Sequence, residues 1–358
     1  MDHAIASHRL LSQQLTRSTF VSPGELVQYM GAVQAQDFPM SRWALGVRLP
    51  ASTDEQIRGA FDRGEILRTH VLRPTWHLVS PKDIRWMLEL TAPQIHTAMR
   101  SRDRELGLTP AVLKKALDLI VRMLEGGKHL TREELSAALQ LSGIKPDNNR
   151  MAHIFMWAET ESLVCSGKIV QNKVTFALLD ERAGSGPGFS REEALAELAL
   201  RYFRSHGPAT LSDFAWWSGL RSGDARKALE SVGKELLCRT EEGQAYWFAE
   251  DPSPRRALPD RVHLLPAYDE YLISYKDRSA SLTRVLQPRA VSSNGVFYPV
   301  ILSGGQVCGL WKRTVKKNSI IPEYAFFEAP DTSTREGVRE AFGRYAQFVD
   351  KSPEEPGK

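Results

Sequence analysis

One pattern recurs ahead of three similar stretches, a hydroxyl residue three positions before an acid: Ser22-Pro23-Gly24-Glu25, Thr131-Arg132-Glu133-Glu134 and Thr210-Leu211-Ser212-Asp213. In a capping box the hydroxyl accepts the N3 amide and the N3 side chain reaches back; Glu is the usual partner and Asp a weaker one. Pro23 suits a first helical position, where its missing N–H costs nothing. A short apolar helix, a break and then another helix are expected after each start. In the third copy the helix ends near Gly219 and resumes over Ser222–Val232, with Ala225, Ala228, Leu229 and Val232 on one face. In the second, Leu135–Leu139 leads through Gly143 and Pro146 into Asn149–Glu161. In the first, Leu26–Met30 leads through Gly31 into Ala32–Asp37. Each copy closes in β-rich sequence, at Leu67–Val79, Leu163–Leu178 and Leu236–Phe248. Two helices, a turn and a β-hairpin make the winged helix-turn-helix order. The expected fold is therefore α+β, with three winged-helix domains at 1–97, 98–185 and 186–358, the last carrying a β-rich extension. The copies are unevenly spaced, which excludes a solenoid of fixed period. The order can arise by chance once, but three in succession argue for related units.

Asp180–Gly188 and Asp251–Arg256 have the composition of exposed linkers. Beyond them Val262–Leu265, Val296–Leu302 and Gln306–Trp311 read as strands, with Ser303-Gly304-Gly305 as a hairpin turn. The tail from Ser352 onward, rich in Pro, Glu and Lys, is expected to be disordered.

A chain of 358 residues with 42% hydrophobic and 25% charged residues can bury sizeable cores. The net charge of +4 is mild, so any nucleic-acid site must come from local clusters of Lys and Arg. Cys165, Cys238 and Cys308 lie far apart without metal-ligand spacing, and are expected as reduced, buried thiols in a cytosolic protein. No leader pattern and no apolar run of membrane length is visible.

Phosphate-cradling P-loop, GxGxxG, HExxH and GxSxG patterns are missing, which argues against nucleotide hydrolysis, dinucleotide redox chemistry and zinc proteolysis. Attention falls on polar residues set in apolar sequence. Gln34 and Gln36 stand two apart within Met30–Pro39. On a helix such residues do not share a face, so both would line one cleft only at a helix end or a bend, which Gly31 and Pro39 make credible. A surface or hydrogen-bonded core role for them stays open. The strand segment Arg68–His77 points Arg68 and His70 to one side and Thr69 and Arg73 to the other until Pro74 interrupts. Its His70, Arg73, Thr75 and His77 suit an anion, or else cap the loops around a wing. Tyr268, Tyr271 and Tyr275 could face DNA or pack between domains. Asn149, Arg150 and His153 at a recognition-type helix, Lys168 and Lys173 on the second wing, and Lys312, Arg313, Lys316 and Lys317 offer phosphate contacts that would position DNA without reading it.

Five stretches taken in order carry a resemblance: Gln34-Ala35-Gln36, Arg73–His77, Leu265–Leu272, Asn294–Phe297 and Gly309–Lys312. Together they resemble the AlkZ-like winged-helix DNA glycosylases, represented by AlkZ and YcaQ, from about Leu10 to Phe348. The resemblance implies tandem winged helices forming a concave DNA channel, and monofunctional excision of alkylated bases, chiefly N7-alkylguanines, with interstrand crosslinks in some members. It implies catalysis by a Gln–apolar–Gln triplet, which the YcaQ branch replaces with Gln–apolar–Asp, so Gln34 and Gln36 inherit the catalytic role. It implies no cofactor, metal or lysine nucleophile. The expected partner is double-stranded DNA carrying alkylated bases, and the expected state is a monomer in the bacterial cytoplasm, associated with the nucleoid. A non-enzymatic winged-helix transcriptional regulator and a protein-interaction scaffold are the alternatives.

Overall fold

The computed structural model describes residues 2–145, 147–249 and 261–354, so Pro146 and the expected linker at 251–256 lie outside the described residues. After α1 (Asp2–Ser12), the chain runs through α2 (Pro23–Met30), β1 (Val33–Gln34), α3 (Phe38–Gly46), α4 (Asp54–Arg63), β2 (Leu67–His70) and β3 (Trp76–Val79). The long helix α5 (Ile84–Glu105) carries it into α6 (Pro110–Leu124), α7 (Arg132–Leu141), α8 (Asn148–Thr160), β4 (Val164–Val170), β5 (Lys173–Leu178) and α9 (Leu179–Arg182). Then come α10 (Arg191–His206), α11 (Leu211–Ser218), α12 (Ser222–Val232), β6 (Leu237–Glu241) and β7 (Gln244–Phe248). The C-terminal part holds β8 (His263–Leu265), α13 (Glu270–Ile273), α14 (Gln287–Ala290), β9 (Val300–Ser303), β10 (Gln306–Val315), β11 (Ser319–Phe326), α15 (Thr332–Phe348) and β12 (Ser352–Pro353). The architecture is mixed α+β.

One order recurs: a helix, a short extended segment, two helices and a hairpin whose second strand pairs back onto that segment. In the first occurrence β1 pairs antiparallel with β3, giving the sheet order β1-β3-β2. In the other two the extended segment is one bridge long, Leu130 to Phe176 and Ala209 to Trp247. This corrects the alignment of the first cap. The Thr131 and Thr210 boxes form and head the middle helices α7 and α11, whereas Ser22 heads α2, the first helix of its unit. Ala32–Asp37 is not a second helix either. Gly31, at φ 75°, ends α2, the chain extends into β1, and Asp37 then caps α3 by accepting the Met40 N–H at 3.1 Å.

The division at 97/98 falls inside α5, so the first two units share a helix there rather than a linker. The C-terminal strands form a sheet in the order β12-β11-β10-β9-β8 that packs with α15 on the first unit: Leu26, Trp43, Phe61 and Leu78 share one core with Leu264, Ile301, Trp311 and Phe342. The turn at Gly304 and Gly305 has positive φ at both residues, as a tight hairpin needs. The strand before it begins at Val300 rather than Val296, because Pro299 cannot donate to the ladder. The tail expected to be disordered is ordered through Glu354: Ser352 pairs beside Ser319, and the Lys316 ammonium meets the Glu354 carboxylate at 2.8 Å. Of the cysteines only Cys165 is fully buried; Cys308 is partly covered and Cys238 is exposed on β6, a two-stranded edge with little to cover it. Among the described residues no helix is long and apolar enough to cross a membrane.

Candidate active site

The Gln34–Gln36 triplet lies on a strand end and not at a helix bend. In an extended chain the period of two sets residues i and i+2 on one side without any kink. Gln34 pairs with His77 across β1 and β3, and Thr69 pairs with His77 across β2 and β3, so Gln34, His77 and Thr69 form a row on one face. The Ala35 N–H donates to Trp76 O at 2.8 Å and carries the ladder one step further. Gln34 is 4% exposed, and its side-chain Oε1 accepts the Gln36 N–H at 2.7 Å; Gln36 itself is exposed. One carboxamide is thus held in the wall and the other stands at the surface beside it.

Behind Gln34 is a residue that pattern reading did not single out. The buried Glu270 carboxylate, at the start of α13, accepts the Gln34 backbone N–H at 2.6 Å and the Trp217 indole N–H at 3.2 Å. The Ser274 hydroxyl donates to the same carboxylate, and the His206 ring lies 3.4 Å away. Burial alone would raise the Glu270 carboxyl; the His206 ring, His77 and the Ser274 hydroxyl outweigh it and bring it to about 2. The only signal in the sequence is an acidic pair, Asp269-Glu270, set between Tyr268 and the apolar run Tyr271-Leu272-Ile273. Asp269 beside it takes a two-pronged bond from Arg48, both contacts at 2.8 Å, with both partners buried.

His77 is fully buried and its Nδ1 lies 3.0 Å from Thr75 O, so Nδ1 carries the proton and donates. Its Nε2, the Thr69 and Thr75 hydroxyls and the Arg73 Nε and Nη2 are buried without hydrogen-bond partners among the described residues. Burial first, then the Arg73 charge, lowers the His77 pKa to about 4. His70 lies on the opposite face of the sheet, paired across from Trp76, its ring tilted against the indole with centroids 4.3 Å apart, and bonded through Nδ1 to Glu159 of α8. Beside it Arg68 lies over the Trp76 ring at 4.2 Å and donates to Ala35 O at 3.0 Å; burial lowers its pKa to about 10.

The remaining basic candidates stand elsewhere. Asn149 and Arg150 open α8, where Asp147 accepts both backbone N–H groups, at 2.9 and 3.0 Å. Lys168 and Lys173 are exposed on the β4–β5 hairpin, Lys173 within 3.4 Å of Glu133. Lys312 is exposed on β10, and Arg313 lies over the Tyr345 ring at 5.5 Å. A surface cavity of about 490 Å³ between α5, α6 and α8, lined by His96, Arg100, Asp103 and Trp157 among others, is separate from the Gln34 row.

The sequence pattern of the family described as DNA glycosylase AlkZ-like matches residues 27–348. A relative from Streptomyces sahachiroi, named as an interstrand DNA cross-link repair glycosylase, is 25% identical over 318 residues, covering 85% of each chain. The solved structure of the Streptomyces sahachiroi DNA glycosylase AlkZ superposes with a TM-score of 0.81 over 99% of each chain at 22% identity, which speaks to the fold. Neither match favours the regulator or scaffold alternative. The chain belongs to the AlkZ-like DNA glycosylases, hydrolases that act on N-glycosyl bonds.

Proposed function

We propose that the chain excises bases alkylated at guanine N7 from double-stranded DNA, as the first step of base excision repair, with Gln34 and Gln36 as the catalytic pair. The observation that carries this is the junction of the two glutamines: one amide fixed in the wall by its neighbour's N–H, the other open to a substrate. Alkylation at N7 gives the base a positive charge and makes it a good leaving group. The electron pair of the glycosidic bond leaves with the base and neutralises it, a water oxygen bonds to C1′, and the water's proton passes to solvent. No strong general acid is needed. The enzyme must hold the water and the oxocarbenium-like sugar, and neutral carboxamide oxygens do this without repelling phosphates. A formal base would contribute about 10²–10⁴-fold; positioning supplies the acceleration here.

His77 from the same sheet, with Arg73 and Thr75 from the loop between β2 and β3, supports the pocket, and His70 braces its back. The three repeated units, with divisions near 97/98 and 185/186, act as winged helices around a concave channel. Asn149, Arg150, Lys168, Lys173, Lys312 and Arg313 meet phosphates along it. The enzyme works as a monomer on nucleoid DNA in the cytoplasm. The name of the relative as a cross-link repair glycosylase supports crosslinked N7-guanine adducts as further substrates. The test is release of free N7-methylguanine from a methylated duplex: the wild type releases it, and Gln34→Ala with Gln36→Ala does not, while duplex affinity stays within a few-fold. A wild-type protein that releases nothing from methylated or crosslinked duplexes removes the proposal.

A further inference from the structure

Trp216, on α11, is 40% exposed, yet its ring is fixed, because its indole N–H donates to Ile273 O at 2.9 Å. Two guanidinium groups lie within 5.6 Å of that ring: Arg73, from the loop between β2 and β3, and Arg278, from the segment after α13. A pair of cations gathered at one aromatic ring repels itself unless something negative joins it. Asp277, exposed next to Arg278 and within its electrostatic reach, accepts the Ser279 N–H at 2.9 Å and lies 3.9 Å from Arg284; the other nearby carboxylates are committed elsewhere. Asp213 accepts the Lys276 and Asp277 N–H groups at 2.8 and 3.1 Å and the Thr210 N–H at 3.0 Å, and Glu270 is taken up by Gln34, Trp217 and Ser274. Arg278 spends Nε on Leu272 O at 2.9 Å and Nη1 on Lys276 O at 3.4 Å, and it also lies over the Phe297 ring at 4.9 Å. Arg73 keeps Nε and Nη2 buried with no partner among the described residues, and donors left so cost free energy until an acceptor arrives. Burial lowers both pKa values, Arg278 to about 10, where the Arg73 charge adds to the effect against the pull of Asp213 and Asp277; a guanidinium stays protonated in proteins.

The cluster borders the glutamine row. Arg73 lies two residues from Thr75 and four from His77, and Trp217, next to Trp216, bonds the same Glu270 that holds Gln34. We propose that Arg73 and Arg278, over the fixed face of Trp216, form an anion site that grips one backbone phosphate of the damaged strand beside the reacting nucleotide. This rests on the glycosylase reading and names the group that would set the sugar against Gln34 and Gln36. Arg supplies a planar fork suited to two phosphate oxygens at once.

The test measures affinity for an undamaged duplex against KCl concentration, together with N7-methylguanine release, for the wild type, Arg73→Gln, Arg278→Gln, the double variant and Trp216→Leu. Arg73→Gln is expected to weaken duplex binding about tenfold at fixed salt. It should also lower the magnitude of the log–log salt slope by about 0.9, the value of one phosphate contact. The double variant should lose no more slope than either single one, because both arginines hold one phosphate. Trp216→Leu should weaken binding with the slope unchanged, since no charge is removed. A wild-type slope in Arg73→Gln, or slope losses that add in the double variant, overturns the site. Arg278 is buried, so if its variants do not fold, Arg73→Gln and Trp216→Leu decide. A wild type that releases no base overturns the glycosylase reading separately, while the slopes still decide for or against the anion site.

Discussion

The Glu270 carboxylate accepts the backbone N–H of Gln34 at 2.6 Å, across 236 positions of sequence. A carboxylate in this place does not act as a base, because both of its oxygens are engaged by donors of the protein. It fixes a strand only two residues long, which its own ladder would hold weakly. The contact thus links the C-terminal part of the chain to the position of the candidate catalytic amides, and charge-assisted bonds of this kind are about twice as strong as neutral ones.

Glu270→Gln is nearly isosteric but neutral. It leaves one acceptor for Gln34 and turns an amide NH₂ toward the Trp217 and Ser274 donors. Misplacement by about 1 Å can cost about 10²-fold in rate, so base release is expected to fall on that scale through kcat, with duplex affinity unchanged. A Glu270→Gln enzyme with wild-type kcat would show that the strand holds itself.

The buried ring of His77 predicts acid lability. Its pKa falls from 6.5 to about 4 in the folded state, so between those values the unfolded chain binds more protons. The stability it contributes is complete above pH 6.5 and declines as pH falls toward 4, by about 3 kcal/mol in all. His263, lowered to about 3 by burial and Arg344, works in the same direction. Glu270, lowered from 4.5 to about 2, adds its loss as pH falls through that lower range. Thermal unfolding from pH 7 to 4 should show Tm falling throughout, and His77→Gln should flatten the part between 6.5 and 4.

The Arg48–Asp269 pair is buried at both ends, with 1% of each side chain exposed. Removing one partner strands a charge in the core, which costs about 3–5 kcal/mol. Asp269→Ala also removes the cap that accepts the Tyr271 N–H at 2.9 Å and so loosens the start of α13, where Glu270 sits. Urea unfolding should show a larger loss for Asp269→Ala than for Arg48→Met, which fills the space without a charge. Equal losses would mean that the cap contributes little.

Much of the fold could be read from the chain, because hairpins and caps are local. All three hairpins lie where alternation and turn residues put them, and the Thr131 and Thr210 boxes form. The Thr53–Gln56 and Ser190–Glu193 boxes were equally local and would have located α4 and α10. What could not be read was non-local. The extended segment β1 is a strand only because β3 lies beside it, so Val33–Gln34 looked like a continuation of a helix. Nor does any spacing announce that Glu270 meets Gln34, or that Trp216 and Arg278 come to Arg73; tertiary packing alone joins them. The glutamine pair was legible as residues but not as geometry, since the same two positions mean different things on a helix and on a strand.

The close approach of α11 to the β2–β3 loop gives a last test. Gly219 ends α11 at φ 68°, and a Cβ built there would lie 2.3 Å from Leu72 O and 3.1 Å from the Arg73 Cγ. Leu72 is itself at φ 65°, so the loop has little freedom to give way. Left-handed backbone at a residue with a Cβ costs about 1–2 kcal/mol, and the backbone clash adds to it, so Gly219→Ala should destabilise by about 2 kcal/mol or more in urea unfolding. It should also displace Arg73 and weaken duplex binding in the same sense as Arg73→Gln. Gly219→Asn separates the two causes. Asparagine tolerates the left-handed region, but its Cβ meets the same carbonyl. If conformation alone matters, Asn recovers most of the loss; if the approach to Leu72 matters, Asn and Ala behave alike. The 2.3 Å contact with a backbone atom argues for the second outcome.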